Sequence, residues 1–184
     1  MNNRIARILS IALLFIIAGF LYQQYSIHFS GAGYDTPAEA LPKDRDYVWI
    51  DGPINKKEHR YFFLADGKYY GTVVVKKTWK GWKEGEIVQG KWPEAIKENE
   101  ISAAYSDEKI LFGAIKGRGN ILVEINGTNA EIVELNDMPK IATDLYQANE
   151  YSIWYVELKQ LETREHFDIK VKNEKGKIIS ELSI

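Results

Sequence analysis

The sequence predicts a mainly β protein: an antiparallel β-sandwich or strongly curved sheet with one or two short helices, preceded by one N-terminal transmembrane helix. Three observations carry that expectation. A continuous apolar run occupies residues 8–22, short alternating segments separated by turn signals follow from residue 45 onward, and aromatic residues make up 12% of the chain. That aromatic share suits packed β-structure rather than disorder.

Arg4 and Arg7 precede the run ILSIALLFIIAGFLY, which only Ser10 interrupts. A helical serine can return its hydroxyl bond to an upstream carbonyl. Counted from Ile5, about 18 residues at about 1.5 Å each give roughly 27 Å, near the lower limit for crossing a bilayer. Tyr22 and Tyr25 fall where an interfacial aromatic belt belongs. No acidic residue precedes Asp35, so the two arginines set the charge asymmetry. The positive-inside rule then places the N-terminus in the cytoplasm and residues 26–184 outside.

A core helix is disfavoured because the run is apolar all round. A cleaved signal peptide is the rival reading. Its best small-residue match, Ser30-Gly31-Ala32, lies about ten residues beyond the run, farther than cleavage prefers. The expected organisation is an uncleaved signal anchor over residues 1–25, a tether over 26–34 and one extracytoplasmic β-rich domain over 35–184.

The remaining length is enough for one domain with a real core. The chain has no cysteine, so no disulfide, thiolate metal site or acylated-cysteine anchor is available. The absence of cysteine is common in extracytoplasmic proteins of low-GC Gram-positive bacteria. The chain's formal net charge is −2, and the outer part is more acidic once Arg4 and Arg7 are set aside. That balance, with the location, excludes a dedicated nucleic-acid binder.

Each element has a local cause. Thr36 and Glu39 form a capping box, and Pro37 suits a first helical position. A helix of about two turns is expected before Pro42, packing Ala38 and Leu41 onto the domain. Residues 47–50 read as a strand ending at Asp51-Gly52-Pro53. Residues 59–65 and 68–79 form a hairpin through Asp66-Gly67, a two-residue turn signal. A strand over 86–92 stops at Pro93, with a helical turn expected around 94–98.

Residues 101–105 and 109–116 flank a second hairpin, and the Gly117–Asn120 turn leads into 121–125, where Ile121, Val123 and Ile125 share a face. Asn126-Gly127 turns the chain into 130–135. The segment YSIWYVEL, residues 151–158, is apolar on both faces and reads as a central strand. Residues 166–172 and 177–182 close the series, making nine or ten strands.

Several strings resemble uncharacterised membrane-anchored extracytoplasmic proteins of Bacillus-type bacteria. They are Thr36-Pro37-Ala38-Glu39-Ala40-Leu41 after the anchor and the lysine-rich strand running from Lys76 into Gly81-Trp82-Lys83. Leu111-Phe112-Gly113-Ala114-Ile115, Val123-Glu124-Ile125-Asn126-Gly127 and Ile153-Trp154-Tyr155-Val156 complete the likeness. The resemblance implies topology and localisation, because that family carries no assigned activity.

No catalytic or metal-binding signature stands out. His28, His59 and His166 are far apart; His166 and Asp168 share a strand face, but there is no Gly-x-Ser-x-Gly elbow and no cysteine nucleophile. No zinc or calcium spacing occurs, and no cofactor is expected. Gly117-x-Gly119 reads as a turn rather than a phosphate loop, and Asn126-Gly127-Thr128 as a turn rather than a glycosylation acceptor.

The candidate surface is Lys76, Lys77, Trp79, Lys80, Trp82, Lys83 and Trp92, with Lys91 nearby, where tryptophan faces suit sugar rings and lysines attract polyanions. Against it stands the reading that these tryptophans plug the core. The expected function is a non-enzymatic binding or interaction module whose partner is an envelope polymer or another membrane protein. The alternatives are an envelope hydrolase using an acidic pair, and a protein-interaction or inhibitory domain acting by edge-strand pairing.

Overall fold

The computed structural model describes residues 3–30, 32–94, 96–117, 121–135 and 138–184. In chain order the elements are α1 (Asn3–Ser30), β1 (Tyr47–Ile54), β2 (Glu58–Ala65), β3 (Tyr69–Thr78), β4 (Gly81–Lys91), β5 (Ile101–Ser106) and β6 (Ile110–Lys116). They continue with β7 (Leu122–Ile125), β8 (Thr128–Asn129), β9 (Glu131–Glu134), α2 (Lys140–Tyr146), β10 (Tyr151–Glu157), β11 (Asp168–Lys172) and β12 (Ile178–Ser183). The protein is mainly β, as its sequence predicts, with three antiparallel four-stranded sheets.

Helix α1 contains a stretch, Ile8–Tyr25, long and apolar enough to cross a membrane, and none of it is buried. The helix runs on to Ser30, into the segment expected as tether, because neither glycine nor proline interrupts residues 20–30.

The first sheet is a meander, β1-β2-β3-β4. Asp66 and Gly67 both take positive φ, 54° and 71°, the backbone the two-residue β2–β3 turn needs. Strand β1 does not end at Asp51. It continues through Gly52 and Pro53 with a register shift, which its edge position permits because proline there withdraws no ladder hydrogen bond.

The second sheet, β5-β6-β10-β9, lies between the other two. Its central strands are apolar on both faces. Ile110, Phe112, Ala114, Tyr151 and Ile153 pack against Phe62, Leu64 and Tyr70 of the first sheet. Leu111, Ile115, Trp154 and Val156 pack against Val123, Ile125, Ile169 and Val171 of the third, β12-β11-β7-β8. Trp154 pairs with Gly113, and a Cβ on that glycine would lie 2.6 Å from the indole. Glycine makes room for the ring.

Two local expectations need correction, and one helix has no counterpart among them. The helix expected after Thr36 is only a 3-10 turn, Ala38–Ala40. Its cap is present, with the Glu39 amide donating to Thr36 Oγ1 at 3.3 Å, but Ala40 and Leu41 are buried rather than Ala38. A three-residue turn buries a different face from a two-turn helix. No helix forms over the described part of 94–98. Instead the Glu100 carboxylate accepts from the Lys97 amide at 3.1 Å, and Asn99 turns the chain with φ 64°. Helix α2 went unread because seven residues show too little periodicity.

The outer face of the first sheet carries Tyr61, Val73, Val75 and Trp82, covered in part by Ala40 and Leu41. The chain after α1 thus crosses this face between Tyr34, paired with Trp82 at the β4 edge, and β1 at the opposite edge.

Trp154→Ala should lower stability by about 3–5 kcal/mol, since it empties the second layer's contact with the third. Gly113→Ala should cost about 1–3 kcal/mol by displacing the same ring. Urea denaturation midpoints measure both.

Candidate functional site

Two places gather charged or aromatic side chains at the surface: the hairpin end that carries the lysines and Trp79, and a charged cleft between the first and second sheets.

The lysine–tryptophan segment folds as the β3–β4 hairpin. Its turn is set by Thr78, whose Oγ1 donates to the Gly81 carbonyl at 2.8 Å and accepts from the Lys80 amide at 3.2 Å. Gly81 adopts φ 113° and packs against the backbone of Gly33 and Tyr34, where a Cβ would lie 2.6 Å from the Tyr34 carbonyl. The Gly33 amide donates to the Lys80 carbonyl at 2.8 Å, and Tyr34 and Trp82 exchange two backbone bonds of 2.8 Å.

The three candidate tryptophans have different fates. Trp79 is 62% exposed at the hairpin tip, with the Lys80 ammonium 5.1 Å from its ring centre. Trp82 is 8% exposed, packed in the outer-face cluster with Lys77 at 5.6 Å. Trp92 is also 8% exposed, its indole N–H donating to the Tyr146 carbonyl at 3.0 Å and tying α2 to the core. Trp82 and Trp92 therefore serve packing.

Lys76 and Lys77 are exposed, while Lys80 and Lys83 are half-buried. Desolvation, and then the charge of Lys83, hold the Lys80 ammonium below its ordinary value. The neighbouring β1–β2 turn adds Lys56 and Lys57 at the same end, because the Lys77 amide donates to the Lys57 carbonyl at 2.6 Å.

The cleft has a volume of about 350 Å³, with Glu58, Arg60, Glu108, Lys109, Glu157 and Arg164 among its lining residues. At its base Arg60 is buried, donating to Asp107 Oδ2 at 2.6 Å and to Thr72 Oγ1 at 3.0 Å. Asp107 Oδ1 also accepts from the amides of Lys109 and Ile110, at 2.7 and 2.8 Å. Burial alone raises the Asp107 carboxyl. The Arg60 hydrogen bond, the two amides and the Arg60 charge outweigh it and hold the group below the usual carboxylate range.

Three glutamates, Glu58, Glu108 and Glu157, line the cleft, the residue type an acidic hydrolase pair uses. Glu58 is ion-paired with Lys109, however, and Glu157 with Lys159.

His166 and Asp168 do meet, with Nε2 3.3 Å from Oδ1 on an exposed surface. Ser183 Oγ donates to the same Asp168 oxygen at 2.7 Å. All three triad residue types are present, but the aspartate lies in the middle, whereas base-activated serine needs the histidine there. The Ser183 hydrogen bond, more than the neighbouring charges of His166 and Lys170, holds the Asp168 carboxyl below its usual value.

His59 is buried under the first sheet's outer face, its ring 4.0 Å from that of Tyr61 and its Nε2 3.3 Å from Asp51. Burial lowers its pKa from 6.5, outweighing the opposite pull of Asp51. His28 lies in a stretch whose side chains are outside the described set. Among the described residues, no group of three or more His, Cys, Asp or Glu side chains is placed to hold a metal ion. The sequence signal for the cleft was a lone arginine inside the apolar strand HRYFFLA.

No family model, no curated protein and no solved structure matches the chain.

Arg60→Met should cost about 3–5 kcal/mol, because it strands a partly buried carboxylate; the double variant Arg60→Met/Asp107→Leu should recover much of that loss in urea denaturation. His59 gives a pH effect of defined sign. Its folded pKa is depressed, so the unfolded chain takes up a proton first and stability falls as pH drops below about 6.5. Comparing denaturation midpoints at about pH 7.5 and about pH 5.5, His59→Gln should lose less stability than the parent chain.

Proposed function

We propose that this chain is a single-pass cell-envelope protein of a Gram-positive, Bacillus-type bacterium, working as a non-enzymatic binding module. Its N-terminus is cytoplasmic, and the β domain is held at the outer face of the cytoplasmic membrane. Its binding surface is the lysine-rich β3–β4 hairpin with Trp79, which takes an anionic component of the envelope.

The observation that carries the reading is the short backbone link between the candidate span and that hairpin: three residues after α1 ends, the Gly33 amide is bonded to Lys80. Charge asymmetry supports the orientation, with Arg4 and Arg7 before the run and no acidic residue until Asp35. Lysines beside an exposed indole suit polyanions on electrostatic and stacking grounds.

Protease added to intact protoplasts should remove the β domain and leave a short anchored fragment; a full-length chain that survives until the cells are lysed overturns the orientation. For the surface, Lys76→Glu/Lys77→Glu should weaken retention on anionic envelope material on the order of tenfold or more, taking roughly 1 kcal/mol per lysine. Co-sedimentation measures it, and unchanged retention removes the hairpin from the binding surface.

A further inference from the structure

The two hairpin turns that meet at one end of the first sheet bring apolar and basic side chains together on one surface. The β1–β2 turn exposes Ile54 and the β3–β4 turn exposes Trp79, at 65% and 62% respectively. Around these two apolar side chains, residues 54–58 and 76–86 hold six lysines (Lys56, Lys57, Lys76, Lys77, Lys80 and Lys83) against three glutamates. One of the three, Glu58, faces the cleft and is ion-paired with Lys109. The opposite end of the sheet, near the β2–β3 turn, is mixed in charge: Asp44, Asp46 and Asp66 lie with Lys43, Arg45 and Lys68, and Arg45 is ion-paired with Asp44 and Asp66.

The position of this basic end relative to a bilayer follows from chain length. The candidate span ends at Tyr25 and α1 ends at Ser30. At about 1.5 Å per helical residue and at most about 3.6 Å per extended residue, Gly33 lies within about 20 Å of the level of Tyr25 even when its connection is taut. Gly33 is bonded to Lys80, so the hairpin tip is held at that same height. The polar layer outside the hydrocarbon is itself roughly 5–8 Å deep, and a lysine side chain reaches a comparable distance. The Gly33–Gly81 contact leaves no room for a side chain on either residue, so this short link is built in rather than incidental. Tryptophan flanked by lysine is also the composition that settles at a headgroup interface, with the ring among the upper acyl groups and the ammonium at the phosphates.

We infer that Ile54 and Trp79, with the lysines around them, dock the domain onto the anionic phospholipid headgroups of the membrane its own helix spans. The anchor therefore fixes the domain's height and the two hairpin tips fix its tilt, which turns the charge-balanced β2–β3 end away from the bilayer. This holds for either face of the membrane. It rests on the anchor reading of α1 and narrows the anionic partner of the lysine–tryptophan hairpin to lipid.

The test uses the full chain, whose lack of cysteine makes a single introduced thiol unique. Trp79→Cys, Ile54→Cys and, as the distant control, Lys68→Cys are labelled with an environment-sensitive fluorophore. Lys68 lies at the other end of β3 from Trp79, about 36 Å away at roughly 3.3 Å per residue. The proteins are reconstituted into vesicles of phosphatidylcholine with or without phosphatidylglycerol.

In the anionic vesicles, labels at 54 and 79 should shift to shorter wavelength and lose iodide quenching, while the label at 68 does neither. Labels at 54 and 79 that stay as quenchable as 68, in protein that resists carbonate extraction, overturn the docking and leave the anchor standing. Extraction of the whole chain by carbonate overturns the anchor and the docking with it. Protection that appears only when a soluble polyanionic wall polymer is added overturns the lipid assignment in favour of that polymer.

Discussion

The structure depends on a middle sheet that is apolar on both faces. In β6 the alternation sends Ile110, Phe112 and Ala114 one way and Leu111 and Ile115 the other, and β10 divides Tyr151 and Ile153 from Trp154 and Val156 in the same manner. A sheet of this kind cannot face water on either side, so it requires a layer above and a layer below. The first meander supplies one cover and the β7-β8-β11-β12 sheet supplies the other. With no cysteine in the chain, no disulfide assists, and the layers are held by side-chain packing and by a few buried polar ties.

Those ties are placed where layers need registration rather than bulk. The Arg60–Asp107 pair joins a strand of the first sheet to the β5–β6 turn of the second, with Thr72 accepting from the same guanidinium. Tyr146 works similarly at the other end: its hydroxyl accepts from the Gly67 amide at 2.7 Å, and its carbonyl accepts from the Trp92 indole. Each tie satisfies a group whose burial would otherwise be costly, and each fixes how two elements meet. With the meander pinned at both ends, its two basic turns are presented together beside the segment that enters α1.

Much of the fold was legible in sequence because β periodicity and turn chemistry are local. Asp66-Gly67 and Asn126-Gly127 take the positive φ values their residue types allow, and YSIWYVEL is the central strand its two-faced apolar character announces. The misreadings also have local causes. Gly52-Pro53 looks like a stop, yet an edge strand with a register shift carries it. Glu94 to Glu98 has helix-forming composition, but the Lys97–Glu100 hydrogen bond closes a turn there instead. The candidate surface was half legible: lysines signal an exposed surface wherever they fall, whereas a tryptophan is equally at home in a core or at an interface.

The sequence by itself determined the apolar helix, the β class and the concentration of lysine around one hairpin, since these follow from hydropathy, alternation and charge along the chain. Tertiary structure alone decided which residues meet. It buried Trp82 and Trp92 and left Trp79 outside, paired Glu58 with Lys109 and Glu157 with Lys159, and put aspartate rather than histidine in the middle of the Ser183, Asp168 and His166 group. It also bonded Gly33 to Lys80, bringing the end of the helix and the basic hairpin together. These outcomes depend on contacts between residues tens of positions apart, and no local pattern encodes a distance that only packing sets.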